Sequence, residues 1–506
     1  MKMKKKIFFI ITSIIIFTSG CKDFLDVNHD PNNPSESTLQ LVFPAGVEKT
    51  ASIYGGSWLA LGNIWSQYWT SAPNAPSYQG EDSYGITAGD YTYDLNGWCD
   101  FYTASLADFE WVKNEAKVQE EWNYYIMAVA MQCYTYTILA DFFDKIPITE
   151  ALQKVPAHFE DGQVVYDTII ARLDEALTHM NDENSEKPGK EDLVFNGNMD
   201  GWEAFINTLK LKMYLRQVYA RPDVAQAGIT KMFSDDVNFL WADAAVVAFT
   251  NEVGHMNYMY EAEFKDGNNN LKASKTLLDF LDEKNDYRLN YIYNFPSKPV
   301  GTEAHKAVYQ GDYRNVYSDA PTTDEELSAP IVRPLTPTYF FSKAECNFLI
   351  AEACMRYDLI YRTFDDRSFY EMGIDADFIK LGVEGFTGSD VYTTGWAPYP
   401  VNATDEEKLE AIIVQKWIAM ANTQGCEAFL EHNRTGYPKE SSVKPGDDDF
   451  SLYVKGEFTA SVNSVLAPPV LFPKRLLFPS SEQSRNPYVP AVVNLNVPVW
   501  WDRSNF

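Results

Sequence analysis

Aromatic residues gathered in loops are the side chains of this sequence best suited to chemistry. Between Ser71 and Gly97, a stretch punctuated by Pro73, Pro76, Gly80, Gly85 and Gly89, stand Tyr78, Tyr84, Tyr91 and Tyr93, with Trp98 just beyond its end. A second Gly- and aromatic-rich stretch, 383–401, holds Tyr392, Trp396 and Tyr399. The middle of the chain adds Tyr258, Tyr260, Tyr309, Tyr313 and Tyr317. A flat phenol or indole ring covers the C–H face of a sugar while neighbouring Asn, Asp or Arg groups take its hydroxyls. Binding side chains of this kind belong on loops held by a rigid scaffold. Large rings in long loops also pack beneath those loops, so ligand contact is expected of part of the set only. Tyr78, Tyr84, Trp98, Tyr392 and Trp396 are the candidate ligand-binding residues.

Catalytic chemistry has less support. No G-x-S-x-G, H-E-x-x-H, G-x-x-x-x-G-K or G-x-G-x-x-G motif occurs. His29, His158, His179, His255, His305 and His432 lack ligand spacing, so no zinc site is expected. A glycosidase needs only two carboxylates at the right separation, but nothing selects a pair among 71 acids. Asp266, Asn268 and Asn270 imitate the start of a calcium loop, yet Leu271 and Leu277 stand where Gly and Glu are required. Asp26, Asn28 and Asp30 fail in the same way, and Asp447, Asp448 and Asp449 read as a solvated turn. No catalytic residue, metal or cofactor is expected.

One residue invites covalent modification. Lys2, Lys4, Lys5 and Lys6 precede an apolar run from Ile7 to Phe17, and Thr18, Ser19 and Gly20 lead into Cys21. This is the layout of an export signal. The cysteine after small residues resembles a bacterial lipoprotein signal, in which Cys21 is diacylated and begins the mature chain. The other cysteines (Cys99, Cys133, Cys346, Cys354 and Cys426) are odd in number and irregularly spaced. They suggest buried thiols, with no disulfide framework.

From Cys21 onward the chain carries 38 Lys+Arg against 71 Asp+Glu, a formal charge of −33. Such a surface repels nucleic-acid phosphates and anionic lipid heads, so membrane contact is left to the lipid alone. At 45% hydrophobic residues a sizeable core can form. No second apolar run reads as a spanning helix.

The elements that must position the loops are helical. Residues 23–37 form a polar tether. Mixed helical periodicity covers 39–69, and helix is expected over 101–152, with 126–140 apolar almost all round. Amphipathic helices follow at 166–180 and 203–219, another begins at Pro222, and one lies near 273–281. Helices resume at 339–356, 364–381 and 405–422, the last opened by a capping box of Thr404 and Glu407. Beyond Thr435 prolines recur and irregular coil with short strands should wrap the body. The reading is a mainly α protein with helices in pairs, a pattern that allows a diverged helical-repeat solenoid.

Several stretches, in order, resemble the SusD/RagB family of Bacteroidetes outer-membrane lipoproteins, particularly its SusD-like subgroup. They are FLDVNHDPNNPSES (24–37), ILADFFDKIPITEAL (138–152), NTLKLKMYLR (207–216), KAECNFLIAEA (343–353), FYEMGI (369–374), QKWIAMANTQGCEAFLEHNRTGYP (415–438) and PKRLLFPSSEQSRN (473–486). Phe143 departs from the family's usual Gly and puts one turn in doubt. The resemblance implies a signal peptide over 1–20, a lipidated tether over 21–38 and one SusD-like domain over 39–506. That domain would be an α-α superhelix of tetratricopeptide-like helix pairs with long loops and a coil-rich C-terminal part. It further implies a non-enzymatic surface protein that binds an oligosaccharide or peptide and caps a SusC-like TonB-dependent transporter. In the family the loop after the first helix commonly contributes to the ligand site, which favours Trp98 and Tyr84. Rival readings are a motif-poor surface glycoside hydrolase and a purely structural transporter lid. Glu427, Glu431 and Arg434 of the longest matching stretch read as structural ion pairs rather than ligand contacts.

Overall fold

The computed structural model describes residues 37–92, 97–153, 155–182, 185–267, 270–298, 304–317, 324–444 and 452–506. The signal segment, Cys21, the tether up to residue 36, Tyr93, Asn268 and Asp447–Asp449 lie outside the described residues.

The longer helices run in chain order as α1 (Leu39–Tyr54), α2 (Ser57–Trp65), α3 (Ala107–Gln119), α4 (Trp122–Phe143), α5 (Gly162–Leu177) and α6 (Met199–Arg216). They continue as α7 (Pro222–Ser234), α8 (Lys275–Lys284), α9 (Lys343–Tyr357), α10 (Asp366–Leu381), α11 (Asp405–Met420) and α12 (Gly425–Thr435). Consecutive members pack together as α3/α4, α6/α7, α9/α10 and α11/α12, so the mainly α reading holds. Strands are short and local to the loops. Trp69–Ser71 pairs antiparallel with Leu271–Ala273, Ala244–Val246 with Thr338–Phe341, and Tyr293–Asn294 with Ala329–Pro330.

Local signals set several helix ends. The Thr404 hydroxyl accepts from the Glu407 amide while the Glu407 carboxylate accepts from Thr404, the reciprocal box expected from the sequence. Ser342 and Asp365 cap α9 and α10, and Gly382 and Gly436 end α10 and α12 in the left-handed region. Two expectations need correction. The helix expected over 101–152 begins as a π-helical segment, Phe101–Leu106, and breaks at Glu120, whose φ is +59°. It then stops at Phe143, because Asp144 turns to φ +69°. The first residues of 339–356 form strand before Ser342 starts α9.

α4 is the centre of the body. Every residue from Tyr124 to Phe143 is buried, and one contiguous apolar core runs from Leu39 to Trp501. Contrary to the sequence expectation, α4 is long and apolar enough to cross a membrane by composition. Its apolar window is wholly buried inside the fold, which accounts for its all-round apolar character.

Beside that core lies a buried charge network. From α6, Lys212 reaches Glu345 at 2.6 Å and Arg216 reaches Glu427 at 2.7 Å. Arg434 of α12 holds Glu352 of α9 at 2.7 Å and Glu431 at 2.6 Å, and Lys416 of α11 sits 2.9 Å from Glu431. The structural role expected for these charges is realised mostly between helices, with only the Glu431–Arg434 pair within one helical turn.

Candidate functional site

The loop after α2 is tied down by a buried carboxylate. Asp82 is fully buried and accepts from Thr70 Oγ1 at 2.8 Å, the Ser71 amide at 2.9 Å and Gln310 Nε2 at 2.6 Å. The loop is thereby fixed to a strand and to the middle of the chain. Burial pushes the Asp82 carboxyl up to about 7, against the lowering effect of those three donors. A raised carboxyl makes the native state bind more protons than the unfolded chain between about pH 4 and 7. Its contribution to stability therefore declines as pH rises through that window. Unfolding free energies of the wild type and Asp82→Asn, measured by urea titration from pH 4 to 8, should show this. The wild type loses stability relative to the variant as pH rises; parallel profiles would remove Asp82 as the titrating group.

Three tyrosines of this loop, Tyr78, Tyr84 and Tyr91, have φ between +57° and +65°. Bulky residues rarely adopt this left-handed region, and such strain concentrates at functional loops. Tyr78 donates to Glu263 Oε2 at 3.3 Å, linking the loop to the π-helical turn Tyr260–Phe264. Tyr91 donates to Glu81 Oε1 at 2.9 Å, and its ring meets Trp58 edge-on at 6.3 Å. Between the α1–α2 junction, this loop and residues 258–262 opens a cleft of about 650 Å³. Its walls carry Tyr78, Tyr91 and Tyr258, together with Glu81, Asp90 and Glu261.

The five candidate residues do not converge on one place. Tyr78 lines this cleft, and Tyr91 and Tyr258, which the sequence singled out only as loop aromatics, join it. Tyr84 is 1% exposed and belongs to the core. Trp98 is 2% exposed, stacked on Phe159 at 5.8 Å with an 8° interplanar angle and met edge-on by Phe143 at 4.9 Å. Its indole lines the floor of a separate, more apolar cleft of about 510 Å³ with Tyr102, Leu152, Val155 and Arg485. Both favoured rings pack into the core: Tyr84 lines none of these clefts, whereas Trp98 still borders the second, with Phe143 among the residues against it. Trp396 lines a third cleft of about 400 Å³, donating to Asp286 Oδ2 at 2.9 Å. Tyr392 is half-buried and donates to Asp375 Oδ2 at 3.1 Å, away from all three clefts. Among the described residues no group of three or more His, Cys, Asp or Glu is placed to hold a metal. None of the five remaining cysteines forms a disulfide, and Cys99 alone of them is half-exposed.

A helical body thus presents a tyrosine-bearing loop beside an open cleft. The chain belongs to the SusD-like family described as "Starch-binding associating with outer membrane", whose match spans residues 31–451. No curated protein matches it. Among solved structures, a SusD homolog from Bacteroides uniformis is 18% identical with a TM-score of 0.70, covering 91% of this chain and 99% of that one. A chitin-binding SusD homolog from Flavobacterium johnsoniae is 20% identical with a TM-score of 0.69, over 91% and 98% of the two chains. A SusD homolog from Bacteroides vulgatus is 18% identical with a TM-score of 0.71, over 90% and 97%. At such identities the likeness establishes the fold.

Proposed function

We propose that this protein is a glycan-binding lipoprotein of the cell surface, anchored in the outer membrane through acylated Cys21. On this reading residues 1–20 are a signal peptide, 21–38 a tether and 39–506 the binding domain. It caps a SusC-like TonB-dependent transporter and delivers an oligosaccharide for import, acting as a binder and not as an enzyme. The observation that carries the reading is the open cleft of about 650 Å³ walled by Tyr78, Tyr91 and Tyr258 beside three carboxylates. Its size suits a few sugar units, its rings suit their apolar faces, and its carboxylates suit their hydroxyls. Family membership agrees with this choice of ligand class.

Titration calorimetry with starch- and chitin-derived oligosaccharides tests it. Tyr78→Ala and Tyr258→Ala should each weaken binding about tenfold, taking a ring–ligand contact at about 1–1.5 kcal/mol. Trp396→Ala, in the third cleft, should change it little. Undiminished affinity in both tyrosine variants would move the site elsewhere, and turnover of the oligosaccharide would overturn the non-enzymatic reading.

A further inference from the structure

The tyrosine cleft is acidic. Glu81, Asp90 and Glu261 line it, and no lysine or arginine is among its described lining residues. Each of the three carboxylates uses one oxygen to hold its own surroundings. Glu81 Oε1 accepts from Tyr91, Asp90 Oδ2 from the Thr87 amide and hydroxyl, and Glu261 Oε1 from the Gly254 amide. Among the described residues no hydrogen bond engages Glu81 Oε2, Asp90 Oδ1 or Glu261 Oε2, which leaves these oxygens to a ligand. Lys265 stands near this edge of the cleft, its ammonium 3.7 Å from Glu261 Oε1. Two more carboxylates act on the lining tyrosines: Glu263, which holds Tyr78, and the exposed Glu48, whose charge acts on Tyr258.

These acids do not gather into a metal site; they are distributed among tyrosine rings. Rings with negative faces and separate free carboxylates form the environment that attracts ammonium groups, through cation–π and direct charge attraction together. A carboxylate- or sulfate-bearing sugar would meet repulsion at each of the same positions. We infer that the cleft is selective for oligosaccharides carrying free ammonium groups, that is, amino-sugar units, over neutral ones of equal length, and that it rejects polyanionic glycans. This rests on the reading of the cleft as the glycan site.

The test is calorimetry on the purified full chain with three probes of equal length. They are a β-1,4-linked glucosamine hexamer, the corresponding N-acetylglucosamine hexamer and a hexagalacturonate. At low ionic strength each ammonium–carboxylate contact should tighten binding about fivefold. The expected order is therefore glucosamine above N-acetylglucosamine, with hexagalacturonate unbound. Added salt should narrow the gap between the first two, because exposed charges are screened. In the double variant Glu81→Gln, Glu261→Gln the ratio of their affinities should fall toward one. A glutamine at position 81 can still accept from Tyr91, and an unchanged melting temperature would confirm that the fold persists. Equal affinities for the first two probes, or an unaltered ratio in the double variant, would overturn the charge selection while leaving a glycan-binding cleft. Failure of every glycan to bind would overturn the site itself.

Discussion

Gly62→Ala is expected to destabilise the protein by about 3 kcal/mol or more, at the upper end of what overpacking costs. A Cβ on Gly62 of α2 would lie 2.1 Å from the Cys426 amide nitrogen, and one on Gly425 of α12 would lie 2.3 Å from the Asn63 amide nitrogen. These contacts are backbone against backbone, so no side-chain rotation relieves them. The crossing is further pinned by Ser66 Oγ donating to the Gly425 carbonyl at 2.7 Å and by Asn63 Oδ1 accepting from the Asn422 amide at 2.9 Å. Separating the helices to admit a methyl group would break both bonds. Gly425→Ala should behave alike, while Gly80→Ala, where no atom lies within 4 Å of the added Cβ, serves as the control. Urea unfolding midpoints decide the matter; a Gly62→Ala variant within about 1 kcal/mol of wild type would show that the crossing can open. Because Ser57 at the start of α2 lines the tyrosine cleft, the crossing also fixes one wall of the site.

The second large effect is expected at Arg434. Its guanidinium is fully buried and bonds both Glu352 and Glu431. Arg434→Leu leaves these carboxylates short of a partner in the interior. Removing one member of a buried ion pair costs about 3–5 kcal/mol, because the remaining charge stays desolvated. The pH dependence carries a separate signature. Burial raises the Glu431 carboxyl, but Arg434, Lys416 and Arg216 more than reverse this and hold it well below the usual range. A lowered carboxyl contributes stability that is present above its unfolded value and lost as pH falls through the folded one. With Arg434 gone the folded value rises, so acid unfolding followed by circular dichroism should shift to higher pH. An unmoved acid transition would show that Lys416 and Arg216 alone hold Glu431 ionised.

These two features mark where reading the sequence succeeds and where it stops. The helices were legible because their signals are local. Apolar residues recur at three- and four-residue steps, and Thr404 with Glu407 forms its cap within one turn. The end of α4 was not, because the break falls at Asp144, which turns to φ +69° and accepts from the amide of Trp500, far away in the chain. Glu427 and Glu431 were legible as structural charges. Their partner Arg216 was not, since it lies more than 200 residues away in the chain. Gly425 was visible only as part of a motif, and its reason is the backbone of α2.

The candidate site divides along the same line. Composition and spacing by themselves placed a tyrosine-rich loop between α2 and the next helical turn, and the ordered motifs placed the chain in its family. They also fixed the excess of acid that gives the cleft its charge. Tyr78 and Tyr84 are six residues apart in the same loop and share a left-handed backbone, yet one lines the cleft and the other is buried. No local pattern separates them. The distinction comes from partners distant in sequence: Glu263 holds the Tyr78 hydroxyl at the cleft, and Gln310 fixes Asp82 and with it the turn that sends Tyr84 inward. Helix formation follows from near neighbours along the chain, whereas the facing of a loop side chain follows from whatever the fold brings against it. Only the tertiary structure could therefore join Tyr258 to Tyr78 and Tyr91 and set Trp98 apart.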